Sequence, residues 1–261
     1  MIALSPIQYL LGALSGSAVG LSLGLFGGGG SILAVPLLVY LVGLSDPHVA
    51  IGTSAVAVAA NALSNLVVHA RRGNVAWRCA LIYSAAGVVG AALGSIVGKA
   101  LDGQHLLLLF SLLMFAIAAL MFLSRNRQEK AAVACTLENA PKTLAFGAGT
   151  GAVAGFFGIG GGFLIVPGLV AATGMSLLNA VGSSLVAVSA FGLTTAVSYG
   201  ASGLVDWPLA AVFVACGAVG GSLGALAAGQ LARRRGALNT AFTALIVIVA
   251  TYMSIRAIGA F

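Results

Sequence analysis

Apolar residues run along the chain in ten blocks, at roughly 4–26, 31–43, 49–70, 78–99, 105–123, 143–157, 163–173, 178–200, 207–229 and 238–258. Several exceed the ~20 residues that a helix needs to cross the hydrocarbon core of a bilayer. Lipid offers the backbone no hydrogen-bond partners, so such segments are expected as helices. The pattern predicts an all-α polytopic membrane protein. Only the stretch 124–142 is charged enough to serve as a linker.

Two places interrupt the apolar pattern in the same way. The first reads Gly27-Gly28-Gly29-Gly30-Ser31-Ile32-Leu33-Ala34-Val35-Pro36, and the second Gly158-Ile159-Gly160-Gly161-Gly162-Phe163-Leu164-Ile165-Val166-Pro167. Glycine costs about 1 kcal/mol inside a helix and proline about 3. Each run is expected to break a helix and start another, near Ser31 and near Phe163.

The two runs belong to a longer duplication. Pro36 aligns with Pro167 and Gly43 with Gly174. After a one-residue shift Gly52-Thr53-Ser54 meets Gly182-Ser183-Ser184, Gly73 meets Gly203, and Trp77 meets Trp207. Gly87, Gly90 and Gly94 meet Gly217, Gly220 and Gly224. Repeat 1 is expected over 1–123 and repeat 2 over 143–261, each a Gly-broken hairpin (4–43 and 143–173) followed by three helices.

Loop charge sets the relative direction of the repeats. If each crosses the membrane an odd number of times, Arg71, Arg72, Arg78, Arg125, Arg127, Lys130, Lys142, Arg233, Arg234 and Arg235 share one side, and only Lys99 and Arg256 the other. An even number of crossings weakens that ten-to-two split to eight against four. Basic residues gather on the cytoplasmic side. Inverted repeats, with both termini outside a cell (inner) membrane, follow as the expectation. Each hairpin then contributes zero or two crossings. The block 163–173 would be about 16 Å long as a helix, half the hydrocarbon thickness, which suits a re-entrant hairpin.

Composition narrows the class. The chain is 60% apolar and 7% charged, against about 25% charged in ordinary soluble domains. The net charge of +7 is read as topology anchors, and no basic tract with interleaved aromatics suggests nucleic acid. Three widely spaced cysteines form no CxxC, so neither a metal site nor a disulfide framework is expected. No cofactor is expected.

The chemistry open to the two breaks is anion binding. The first N–H groups of a helix lack intrahelical partners and carry about half a positive charge, and glycine allows close backbone approach. Gly28, Gly29, Gly30, Ser31 and Ile32, with Gly160, Gly161, Gly162 and Phe163, are the candidate substrate-binding residues. Pro36 and Pro167 mark the helix breaks. Thr53, Ser54, Ser183 and Ser184 begin the next helices and can donate hydroxyls to an oxyanion. Asn61 lies farther along, with Asn65 one turn beyond. Their counterparts are Phe191 and Thr195. His69, matched by Tyr199, is read as an interfacial residue beside Arg71. The five carboxylates, Asp46, Asp102, Glu129, Glu138 and Asp206, all map to loops or helix ends, so the usual intramembrane proton relay is missing.

With the doubled GxGGGxxxVP-type motif, the Gly-Thr-Ser helix start and the loops Gly73–Trp77 and Gly203–Trp207, the chain resembles the TauE/SafE family, the sulfite exporter family. The resemblance covers nearly the whole length. It implies a secondary transporter exporting a small sulfur-containing oxyanion, sulfite or an organosulfonate. Ser31 against Gly162, and Asn61 against Phe191, leave selectivity open.

Two other readings compete. A passive anion channel would use the same helix ends. An intramembrane serine hydrolase would use Gly20-Leu21-Ser22-Leu23-Gly24, which fits GxSxG, but the equivalent stretch Gly151–Gly155 has no serine.

Overall fold

The computed structural model describes residues 4–124, 140–158, 162–231 and 237–258. Every regular element among them is a helix. The first half of the chain holds α1 (Pro6–Phe26), α2 (Ala34–Pro36), α3 (Pro47–Arg71), α4 (Trp77–Ala100) and α5 (Gly103–Ser124). The second half holds α6 (Ala140–Phe157), α7 (Gly162–Thr173), α8 (Leu177–Ala201), α9 (Trp207–Leu231) and α10 (Ala237–Ile258). The helices α1, α3, α4, α8 and α9 are long and apolar enough to cross a membrane. The protein is a multi-pass membrane protein.

Local signals place the helix starts. Ser5 caps α1 in a capping box with Gln8, and Pro6 takes the first turn, where its missing N–H costs nothing. Asp46 caps α3 ahead of Pro47, and Ser176 caps α8. The ends of α3 and α8 share one device. Asn74 N donates to His69 O at 3.1 Å and Leu204 N to Tyr199 O at 3.0 Å, each just after a glycine at φ 72°. This is the Schellman closure, which needs a left-handed residue.

Positive φ among the described residues falls on six glycines in three equivalent pairs: Gly27 with Gly158, Gly43 with Gly174, and Gly73 with Gly203.

The first hairpin departs from the expected helix restart at Ser31. A 3-10 stretch runs from Gly27 to Leu33, α2 is three residues long, and a π turn covers Leu37–Leu41. Four glycines give no side-chain reason for α geometry. Pro36 cannot donate to the carbonyl four residues back, and the chain widens after it, with Val42 N bonded to Leu37 O at 2.9 Å. In the second hairpin α7 begins at Gly162 and carries Pro167 within the helix.

The chain returns to the face it left. α1 has 21 residues, about 31 Å at 1.5 Å per residue. Gln8 Nε2, in its first turn, donates to Val42 O at 3.1 Å. The first hairpin therefore starts and ends on one side.

The two halves of the chain are interlocked. α1 packs along α9, and α4 along α6. Gly12, Gly16 and Gly20 of α1 face Leu209, Phe213 and Gly217 of α9, so these helices run parallel. Gly147, Gly151 and Gly155 of α6 face Tyr83, Gly87 and Ala91 of α4 in the same sense. Small residues permit such close approach. At the centre α3 crosses α8. Gly52 lies against Leu204, Gly192 against Ala59, and Gly182 against Asn74, so the two run antiparallel. α5 packs on α10. Cys79, at the start of α4, is disulfide-bonded, which spacing alone did not foretell.

Candidate functional site

The first break separates two groups that would otherwise bond to each other. In a continuous helix Gly28 N–H would donate to Gly24 C=O. Gly27, at φ 61°, turns the chain so that they part. Ser184 Oγ of α8 accepts the Gly28 N–H at 2.9 Å and donates to Val181 O at 2.8 Å. His69 Nε2 of α3 lies 3.1 Å from Gly24 O. A carbonyl only accepts, so Nε2 carries the hydrogen and neutral His69 keeps a bare lone pair on Nδ1. That atom has no partner among the described residues.

The loop of the break is tied down from within. Ser31 Oγ donates to Gly28 O at 2.9 Å. Ser22 Oγ lies 2.9 Å from Gly30 O and 3.0 Å from Val19 O. The Ser22 proton thus faces two carbonyls, neither of which is a base. Ser22 closes the break, and a nucleophile is not what its surroundings make of it.

The two breaks meet. A Cβ placed on Gly28 would stand 2.7 Å from Gly162 Cα, and one placed on Gly162 would overlap the Gly28 carbonyl. The 3-10 stretch that follows α1 thus touches the first residue of α7, backbone to backbone. Gly27 rests on Val181 of α8, and its equivalent Gly158 rests on Ile51 of α3. Gly160 and Gly161 lie outside the described residues. Ile32 and Ser31 are fully buried.

The hydroxyl pairs divide their work. Thr53 Oγ1 accepts from Asp206 N at 2.9 Å, and Ser183 Oγ accepts from Ala76 N at 2.8 Å. Each fastens the loop that leads into α9 or α4, and each does so across a loop it does not belong to. Their neighbours Ser54 and Ser184 bond back to Ile51 O and Val181 O, both at 2.8 Å. Of the four, Ser184 bonds directly to a described break residue.

Asn61, Asn65 and His69 follow at intervals of four on one face of α3, and all are buried. Asn61 packs its amide on Gly217 and Asn65 on Gly221, both of α9. Both polar atoms of the Asn61 amide, and Asn65 Oδ1, have no partner among the described residues. His69 is not the interfacial residue that its neighbour Arg71 suggested: it is fully buried against α1. The i, i+4, i+8 spacing was the signal that would have found it. On α8 the equivalent face is Phe191, Thr195 and Tyr199, and Phe191 stacks on Tyr83 with ring centroids 6.5 Å apart. Tyr83 Oη is in turn 2.6 Å from Thr150 Oγ1.

Residues 12–253 match the sequence profile described as Sulfite exporter TauE/SafE. The chain belongs to the TauE/SafE family. Among relatives of this TauE/SafE chain, a probable membrane transporter protein of Xylella fastidiosa is 52% identical over 240 residues, covering 92% of both chains. The probable membrane transporter protein YunE of Bacillus subtilis is 30% identical over 240 residues, covering 84% of this chain and 86% of its own. No solved structure matches the chain. The fold just described is accordingly that of a member of a membrane transporter family.

Proposed function

We propose that the protein is a secondary transporter that exports a small sulfur-containing oxyanion, sulfite or an organosulfonate, across the cell membrane. The observation that carries this reading is the contact of Gly28 with Gly162. Irregular backbone inside a membrane is tolerated where it is buried in protein or lines a cavity. Paired broken helices meeting at the repeat interface are a recurrent way to hold a solute for alternating access.

The anion is held where the Gly28–Ile32 stretch meets Gly162 at the start of α7, with Gly160, Gly161 and Phe163 proposed as further binding residues. In this conformation the Ser184 hydroxyl oxygen occupies the Gly28 amide, the place an anion oxygen would take. Asn61 brings a buried amide with free donor capacity. Thr53, Ser54 and Ser183 frame the site through the helix starts. Export then runs with an inside-negative potential, worth about 2.3 kcal/mol per unit charge per 100 mV.

The inverted arrangement rests on three points. α3 and its equivalent α8 run antiparallel, the first hairpin returns to the face it left, and the odd-crossing count places ten basic residues against two. The basic side is then cytoplasmic and both termini are outside. The disulfide at Cys79, on the basic side, pulls the other way, because disulfides persist mainly in oxidising compartments. The charge count is the broader signal and decides the assignment.

The test is an uptake panel in liposomes with sulfite, thiosulfate, sulfoacetate and sulfate, with and without pH and voltage gradients. Saturable uptake accelerated by substrate loaded on the opposite side is the result expected of a carrier. Single-channel currents without such acceleration would make the protein a pore, and no flux of any of the four anions would remove the reading.

A further inference from the structure

The two halves of the protein also differ on the faces that α3 and α8 turn to the glycine-bearing helices. On α8 the face is filled: the Phe191 ring sits on Gly87, where a Cβ would collide with it, and stacks on Tyr83. On α3 the same positions carry Asn61, Asn65 and His69, each no more than 1% exposed. Four of their polar atoms, Asn61 Nδ2, Asn61 Oδ1, Asn65 Oδ1 and His69 Nδ1, have no partner among the described residues.

Burying such atoms without a partner is costly. Polar side chains within a membrane protein face pathways or one another. Here no two of these side chains bond to each other; Asn65 Nδ2 donates instead to the backbone carbonyl of Asn61 at 2.9 Å. From Asn61 to His69 the stripe takes eight helical steps, about 12 Å. It runs from the middle of α3 to its basic end, past the Gly24 carbonyl that His69 holds. At that end Arg72 Nη1 donates to Ala225 O of α9. Facing the stripe are Gly217 and Gly221 of α9, which leave only backbone opposite the amides.

We infer that this stripe is a one-sided lane for a small hydrated oxyanion, closed in the present conformation by α9. The lane opens when the parallel α1–α9 pair, joined along its glycine seam, moves as a unit away from α3. Asn61 and Asn65 then exchange their unpaired contacts for water and for the passing anion, and Arg71 and Arg72 gather anions at the mouth. On α8 Thr195 Oγ1 and Tyr199 Oη are also without a partner among the described residues, but the Phe191 ring fills the position equivalent to Asn61, so the lane is not continued there. This inference rests on the transporter reading but is separable from it.

The test is cysteine labelling in proteoliposomes, with the parent protein run in parallel to subtract its own cysteines. N61C and N65C, one turn apart, each report should the other fail to insert, and Phe191→Cys is the equivalent position without a lane. The reagent is an anionic methanethiosulfonate, and the protecting anion is sulfoacetate. The expected result is labelling of N61C or N65C at least tenfold faster than of Phe191→Cys, slowed at least threefold by sulfoacetate, with labelling abolishing flux. Labelling without protection makes the stripe a lane for water or protons alone and overturns the anion assignment. Absence of labelling, in variants that still move anions, overturns the lane while the transporter reading stands. Loss of parent flux would instead strike the transporter reading.

Discussion

His69 and Ser184 hold the two ends of one missing hydrogen bond. His69 Nε2 serves the Gly24 carbonyl at 3.1 Å and Ser184 Oγ serves the Gly28 amide at 2.9 Å. One comes from α3 in the first half of the chain and the other from α8 in the second, so the break after α1 is kept open from both halves. Removing either partner leaves a buried backbone group bare, at about 1–3 kcal/mol. Ser184→Ala and His69→Leu are each expected to lower thermal stability in detergent. The double variant should depart from additivity by more than about 0.5 kcal/mol, since both act on one structural unit. Strict additivity would show that the two ends are independent.

The contact of the breaks leaves no room for side chains. Gly28→Ala would place a methyl 2.5 Å from Val188 Cγ2 and 2.7 Å from Gly162 Cα, and Gly162→Ala would strike the Gly28 carbonyl. Both substitutions are expected to reduce flux at least tenfold in protein that still inserts. Gly149→Ala, which meets nothing within 4 Å, is the matched control. Normal transport kinetics in both break variants would remove the site from the breaks.

How far the sequence disclosed this arrangement depends on the kind of order involved. Helix content and the doubled glycine motif were legible because lipid forces a long apolar pattern and glycine with proline disrupts it. The equivalence of Gly27 and Gly158, or Gly73 and Gly203, follows from alignment alone. The partner of Gly24 was not legible, because the contact of His69 with α1 spans 45 residues and depends on how the helices pack. The 3-10 and π windings after Gly27 were missed for a related reason. Glycine specifies little of its own geometry, so neighbouring helices decide it. Asn61, Asn65 and His69 could have been joined by their spacing, but Arg71 drew His69 to the interface instead.

Thr53 and Ser183 make a paired prediction. Each hydroxyl accepts one loop amide, from Asp206 and from Ala76. Thr53→Val orphans the first and Ser183→Ala the second, so each should cost about 1–3 kcal/mol of stability. Thr53→Ser keeps the acceptor and should stay near the parent. If these hydroxyls also reach the substrate, as proposed, the first two variants will bind sulfoacetate more weakly in titration calorimetry. A stability loss with unchanged affinity would confine them to fastening loops.

The glycine seams should respond symmetrically. Gly20 of α1 faces Gly217, and its equivalent Gly151 of α6 faces Gly87, each so closely that a Cβ would overlap a backbone oxygen. Overpacking a close-fitting interface costs about 1–3 kcal/mol or more. Gly20→Val and Gly151→Val are expected to cut the yield of folded protein to a similar degree in fluorescence-detected gel filtration. A severe effect at one position alone would mean that the two seams carry unequal load.

Orientation can be read from one equivalent pair. Arg71 and Ala201 are the last residues of α3 and α8, and both are exposed. Because these helices run antiparallel, their ends should emerge on opposite faces. Arg71→Cys is expected to react with an impermeant maleimide only after the cell membrane is opened, whereas Ala201→Cys should react in intact spheroplasts. Reaction of both from one side would contradict the antiparallel course of α3 and α8 across the bilayer. Reversed sidedness would retain inverted repeats but turn the molecule over, and would place the disulfide of Cys79 in the oxidising compartment. The lane along Asn61, Asn65 and His69 would then lead outward, and the aromatic face of α8 would guard the cytoplasmic side.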